Sequence, residues 1–234
     1  DIHCFENLSG QRFFLELRLM LMEEDPIKSI ERMNGFQLLR YISPELKLTE
    51  ELRDVLTKIR GILVWFNLLY LGVTYEPWKV YFLGLTSYLS EAEMNTLTKR
   101  MQIHDKDVLD MISSREEARA ILKELSRTSD KDNFSIYRIL SPLYPEILLY
   151  SMAKTRNEKV KKFISIFFTK LRGTEVHLKG KDLINMGFKP GPRFKEIIDG
   201  ILAAKLQGAV LTREDEIEFV NRKFRSLQNK ETLL

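Results

Sequence analysis

Residues 49–71 read TEELRDVLTKIRGILVWFNLLYL, and this stretch decides the fold class. Thr49 offers a side-chain oxygen to the first amides of a helix, and apolar residues then return every three or four positions. That is the period of a helix and not the alternation of a strand. The window 61–75 is the most apolar in the chain, yet Asn67 interrupts it. It is also shorter than the roughly 18 to 20 residues that cross a bilayer, so it reads as a buried core helix.

The same spacing recurs on both sides. Ser9 caps a helix carrying Phe13, Phe14, Leu17, Met20 and Leu21, which ends before Asp25 and Pro26. Pro26 suits the first turn of a short helix bearing Ile27, Ile30 and Met33, stopped by Asn34 and Gly35, with a further short piece over 36–42. Ser43 and Pro44 break the chain, and Pro77 with Trp78 opens a helix to about residue 88. Ser90 with Glu93 forms a capping box, and Ser113 with Glu116 and Ser114 with Glu117 offer the same chemistry. Helices are expected at about 91–101, 105–112, 115–126, 134–140, 145–153, 157–172, 180–186, 192–207 and 213–225. The polar run 127–133 reads as a loop inside one domain and 173–175 as a linker. With 11 Gly and 7 Pro there is room for few other breaks, and no fixed-period repeat is visible.

Composition excludes disorder, at 44% hydrophobic and 30% charged residues. The one cysteine, Cys4, forms no disulfide within the chain, and the expected setting is intracellular and cytoplasmic. The first residue is Asp1, with no basic n-region and apolar h-region behind it. Neither a natural start nor a signal peptide is expected there, but a fragment of a larger chain.

The net charge of +4 hides an asymmetry. Residues 1–153 hold 19 Lys and Arg against 23 Asp and Glu, whereas residues 154–195 hold 12 against 3. Those 12 are Lys154, Arg156, Lys159, Lys161, Lys162, Lys170, Arg172, Lys179, Lys181, Lys189, Arg193 and Lys195. A local basic excess of this kind is the footprint of a phosphate-binding surface, with a solvated, Lys-rich helix face as the plainer reading. Within it, the turn Lys189-Pro190-Gly191-Pro192 starts a helix whose amide groups and dipole favour an anion, flanked by Lys189, Arg193 and Lys195. Gly191 lets a backbone come close to a ligand there.

Other constellations fall short of chemistry. Asp105 with Asp107 and Asp130 with Asp132 have the spacing of a two-metal pair, but the first opens a helix and the second sits in a polar loop. His104 and Asp105 spell a phosphohydrolase pair, yet only His3 and His177 remain to complete a metal sphere. Cys4 beside His3 lacks a third orienting group. Gly180-Lys181-Asp182 lacks the glycine of a phosphate loop, since Glu175 stands there. The aromatics from Leu63 to Phe82 read as core. No catalytic residue, metal ligand or cofactor is expected in these 234 residues.

The run Glu6-Asn7-Leu8-Ser9-Gly10-Gln11-Arg12-Phe13-Phe14-Leu15-Glu16-Leu17, followed by Glu24-Asp25-Pro26 and Ile30-Glu31-Arg32-Met33, resembles the neck of class II tRNA nucleotidyltransferases (CCA-adding enzymes) and bacterial poly(A) polymerases. Leu178-Lys179-Gly180-Lys181-Asp182-Leu183, Gly187, Pro190-Gly191-Pro192 and Leu211-Thr212-Arg213-Glu214-Asp215 are similar to that family's tail. Between them, roughly 45–170 matches only as a helical body. The resemblance implies an all-α chain with a multi-helix neck (1–44), a helical body (45–172) and a small helical tail (173–234), the catalytic α/β head being absent. It implies a tail gripping tRNA, a head supplied by the rest of a longer chain, and Mg with ATP and CTP acting at that head. It also implies an i, i+4 pair of Arg12 with Glu16 stiffening the neck helix. The expected function is thus to position tRNA for nucleotide addition at an RNA 3′ end, without a membrane partner. A non-catalytic helical module binding an acidic protein or a membrane surface is the alternative.

Overall fold

A computed structural model describes residues 9–127 and 131–225. His3, Cys4, the first three residues of the neck motif and Asp130 lie outside the described residues. Among the described residues every regular element is a helix, as the periodicity requires. Two compact units emerge, residues 1–128 with 142–164 and residues 129–141 with 165–234.

The first unit begins with α1 (Gly10–Leu21), whose first turn is tied by the Ser9 hydroxyl accepting from Arg12 N at 3.3 Å. Gly10 is required by distance: a Cβ at this position would stand 1.7 Å from the carbonyl oxygen of Arg100. Helices α2 (Pro26–Gly35) and α3 (Glu50–Leu68) follow, joined by a 3₁₀ turn over Leu38–Tyr41. Arg100 ties that turn down, donating to the carbonyls of Tyr41 and Ile42, the latter at 2.8 Å. Helix α4 (Pro77–Leu85) is apolar all round and buried from Trp78 to Leu85, the pattern of a helix enclosed by others. It packs against α3 and α9 (Pro145–Lys154). Phe14 of α1 meets Trp78 and Phe82 edge to face at 6.0 and 6.1 Å, fastening the first helix to this core.

Helices α5 (Glu91–Arg100), α6 (Lys106–Ser113) and α7 (Arg115–Arg127) complete the unit with α9. The Ser90–Glu93 capping box forms, Ser90 N donating to Glu93 at 2.8 Å and Glu93 N to Ser90 Oγ at 3.3 Å. The two boxes expected at Ser113 and Ser114 do not. Only Ser114 separates α6 from α7, and both hydroxyls turn back to donate to the carbonyls of Asp110 and Met111, at 2.9 and 3.0 Å.

The second unit contains α8 (Asn133–Leu140), the end of α10 (Glu158–Ile166), and α11 (Gly180–Asn185), α12 (Pro192–Leu206) and α13 (Arg213–Val220). Beyond α10 the chain makes one wider turn, Phe167–Leu171, closed by Arg172 N donating to the Phe167 carbonyl at 2.8 Å. The expected helix over 157–172 is therefore α-helical only to Ile166. Leu178, Leu183, Phe188, Ile197, Ile201, Val220 and Phe224 form the core of the last three helices. Gly187, at φ 90°, ends α11 in a conformation that L side chains resist, and Phe188 N returns to the Leu183 carbonyl at 3.0 Å.

Candidate nucleic-acid interface

The twelve cations expected to form one basic surface divide between the units. Lys154, Arg156, Lys159, Lys161 and Lys162 belong to the first, and Lys170, Arg172, Lys179, Lys181, Lys189, Arg193 and Lys195 to the second. Helix α10 buries Val160, Phe163 and Ile164, which leaves Lys159 and Lys162 exposed. Asn157 caps it, accepting from Lys159 N at 3.0 Å. Lys161 spends its charge on Glu158 at 2.8 Å. Lys154 lies back along the surface, donating to the Ser87 carbonyl at 3.1 Å, with its ammonium 5.2 Å from the Tyr88 ring centre. Burial, with the nearby charges of Arg119 and Arg115, pulls its pKa down to about 8. The residue is nonetheless solvent-exposed, with one of its donors committed to the Ser87 carbonyl.

In the second unit Lys170, Lys179, Lys181, Lys189 and Lys195 are exposed, with no ion-pair partner among the described residues. Gly191 is also exposed, and a Cβ there would meet nothing within 4 Å. The N-terminus of α12 is a poorer anion trap than its sequence suggests. Pro192 has no N–H, and Phe194 N already donates to the Gly191 carbonyl at 3.0 Å. Attraction for phosphate therefore rests on Lys189 and Lys195. Arg193 is half-buried and donates to the Phe224 carbonyl at 3.4 Å, so it also holds the end of the unit together. Arg172 lies 5.9 Å from the Phe168 ring centre.

Sequence counting missed two cations here. Arg138 and Lys223 join Lys195 around an open groove of about 530 Å³, whose wall also carries Glu196 and Asp199. Arg138 precedes the basic stretch and Lys223 follows it, so a window drawn along the chain excludes both. The four-residue spacing from Phe134 to Arg138, which places the guanidinium 5.7 Å from the ring centre, was the available signal.

A buried carboxylate holds this unit. Glu216 is 0% exposed and accepts from His177 N at 3.0 Å, Leu178 N at 2.8 Å and Lys205 Nζ at 2.6 Å. Burial works to raise its pKa, but the Lys205 ammonium and the two amides outweigh it and hold the carboxyl below its ordinary value. Arg213 bonds Asp182 at 2.7 Å, and Asp182 accepts from Lys179 N at 2.8 Å. Gly180-Lys181-Asp182 therefore opens a helix and is no phosphate loop.

One described member of each acidic pair caps a helix. Asp105 accepts from Asp107 N and Val108 N at 3.0 and 3.3 Å, and Asp132 from Ser135 N at 2.8 Å. Among the described residues no three His, Cys, Asp or Glu side chains converge as metal ligands. Arg12 and Glu16 both lie on the exposed side of α1. The expected ion pair between them is not made; at exposed positions such a pair gains little. The neck helix is instead anchored by Arg18, which bonds Glu76 at 3.3 Å while its guanidinium lies 4.8 Å from the Trp78 ring centre. Glu76 also accepts from Trp78 Nε1 at 2.9 Å and Lys79 Nζ at 2.5 Å.

Residues 3–49 match the family described as "Probable RNA and SrmB-binding site of polymerase A". Over 230 residues the chain is 39% identical to the A-adding tRNA nucleotidyltransferase of Geobacter sulfurreducens, covering 93% of this chain and 25% of that protein. It is 22% identical to the A-adding tRNA nucleotidyltransferase of Halalkalibacterium halodurans, covering 97% of this chain and 49% of that one. It thus spans a quarter to a half of the length of these curated relatives. Among solved structures, the apo form II of a CCA-adding enzyme superposes with a TM-score of 0.68 at 21% identity, covering 94% of this chain and 51% of that one. The Thermotoga maritima CCA-adding enzyme complexed with tRNA gives 0.66 at 19% identity, covering 93% and 52%. A CCA-adding enzyme with CTP gives 0.67 at 21%, covering 92% and 51%. These structural likenesses speak to the fold, and the family match over residues 3–49 covers the first of the two motifs. These matches bear out the resemblance to a C-terminal portion of the class II tRNA nucleotidyltransferase and bacterial poly(A) polymerase family.

Proposed function

We propose that this chain holds tRNA, or another structured RNA, so that its 3′ end reaches a nucleotidyltransferase head supplied by the rest of a longer protein. In this reading residues 1–44 are the neck, 45–172 the body and 173–234 the tail that grips the RNA, and the work is done in the cytoplasm. The observation that carries it is the set of exposed lysines Lys170, at the end of the body, and Lys179, Lys181, Lys189 and Lys195 of the tail, with no carboxylate partner among the described residues. Such side chains contact sugar-phosphate oxygens without reading bases, which is what positioning an RNA requires. Kinship with A-adding tRNA nucleotidyltransferases supports tRNA as the ligand.

Mg and ATP or CTP belong to the head in this reading. Asp105 and Asp132 spend carboxylate oxygens on helix amides, and no chemical step is assigned to these residues.

Fluorescence anisotropy with a labelled tRNA at rising salt tests the proposal. Each lost phosphate contact should lower the log–log salt slope by roughly 0.7 to 0.9. Lys189→Glu with Lys195→Glu should weaken binding by about tenfold or more at unchanged melting temperature. Arg193 is left intact because it also secures Phe224. Unchanged affinity, or binding indifferent to salt, overturns the tail assignment.

A further inference from the structure

One cavity in the first unit collects more positive charge than its fold requires. It lies where the C-terminal end of α4 meets α7 and α9, has a volume of about 300 Å³, and is floored by Leu83, Ala118, Leu122 and Ile147. Arg115, Arg119 and Lys154 stand around it, with Tyr150 on the wall.

Part of this charge has a structural use. Arg115 donates to the carbonyls of Thr86 and Leu89 at 3.2 and 3.4 Å, and Lys154 to that of Ser87 at 3.1 Å. Both thereby serve the carbonyls that follow α4, whose dipole end carries about half a negative elementary charge. Arg119 pairs with Glu116 at 2.9 Å, on the exposed side of α7. Three cations thus answer to one carboxylate and half a dipole charge, which leaves more than one positive charge uncompensated. Desolvation first, and then the charges of Arg119 and Arg115, push the pKa of Lys154 down, while Glu116 opposes them.

We propose that this pocket binds a nucleotide, its phosphate held by Arg115, Arg119 and Lys154 and its base laid on the floor beside Tyr150. The volume suits one such unit, at the small end of ligand cavities. A bare phosphate would leave the apolar floor empty, and a carboxylate side chain lacks a flat ring to cover it. A base does cover it, and bases stack readily on tyrosine rings and guanidinium planes. The same chemistry is offered by a free nucleotide and by an unpaired residue of an RNA strand. The site reassigns Lys154 from the phosphate track and uses none of the tail lysines, so it does not rest on the tail reading.

Calorimetric titration of the chain with AMP, inorganic phosphate and adenosine tests it. AMP should bind at least about tenfold more tightly than either fragment. Arg119→Glu, on the exposed rim, should weaken AMP at least about tenfold without lowering the melting temperature, and Lys154→Met should weaken it as much while costing the bond to the Ser87 carbonyl. AMP affinity should fall between pH 7 and 9 as Lys154 loses its proton, and Lys154→Arg should remove that fall. The groups facing this ammonium are Arg115, Arg119, Glu116, Tyr88 and Tyr150, and burial pushes the Tyr150 phenol up to about 12. A 5′-phosphorylated trinucleotide that binds more tightly than AMP with the same Arg119 dependence marks an RNA strand as the source, and equal or weaker binding marks a free nucleotide. Lys189→Glu with Lys195→Glu should leave AMP binding unchanged, which separates this site from the tail. AMP no tighter than phosphate, or indifferent to both pocket variants, overturns the proposal.

Discussion

Glu76 and Glu216 each gather several donors in one unit, and they do so at opposite levels of exposure, 39% for the Glu76 side chain and 0% for Glu216. In the first unit the carboxylate lies over a core that apolar packing already defines: Phe14, Trp78 and Phe82 interlock beneath it. In the second, the carboxylate is itself core, and the segment entering α11 is pinned by its bonds to His177 N and Leu178 N. A large apolar interior tolerates polar bonds as additions. A small one depends on them.

Glu216→Ala should give the largest effect, because it strands the nearly buried Lys205 ammonium and two amides. A loss of about 3 to 5 kcal/mol is expected, confined to the second unit, and limited proteolysis alongside a thermal melt would show it. If the whole chain melts as one, the contrast between the units fails. Acid should reproduce the effect. The Glu216 carboxyl is held below 4.5, so its contribution is complete above that pH and is lost as pH falls through the lower folded value. Glu216→Gln should flatten the melting temperature of the second unit between pH 6 and 3.

Gly10→Ala is the matching break in the first unit. The new methyl would meet a backbone carbonyl at 1.7 Å, which cannot rotate away, and about 3 kcal/mol or more should be lost in urea unfolding. Gly84→Ala meets Ile59 Cδ1 at 2.4 Å, the end of a side chain that can turn, so about 1 to 2 kcal/mol is expected. Glu76→Ala should cost about 2 kcal/mol: water can reach Arg18, but the buried Lys79 ammonium and Trp78 Nε1 lose their acceptor, while the half-exposed carboxylate itself is no part of the core. Arg12→Ala should stay within about 0.5 kcal/mol, and a larger loss would mean that the exposed face of α1 carries an interaction beyond solvation.

The helices were legible because their signals are local. Ser9, Thr49 and Ser90 cap as read, and Pro26, Pro77, Pro145 and Pro192 each open a helix. Ser113 and Ser114 were misread because a capping pattern does not reveal that the preceding helix ends one residue away. Gly10 could be seen as a motif residue, but its cause, the Arg100 carbonyl, lies ninety residues on. The candidate RNA surface was legible as a charge count and illegible as a surface. Counting along the chain included Lys154, which turns to a carbonyl, and omitted Arg138 and Lys223, which share a groove with Lys195. Lys205 and Glu216 sit 11 residues apart, a spacing that no local rule pairs.

The bonds from Glu216 to the amides of His177 and Leu178 leave a measurable trace in deuterium uptake. Both residues precede α11, where backbone hydrogens would ordinarily trade with solvent within seconds. Capped by a carboxylate that water cannot reach, they should exchange only when the whole second unit opens, and so serve as two native clocks for its integrity.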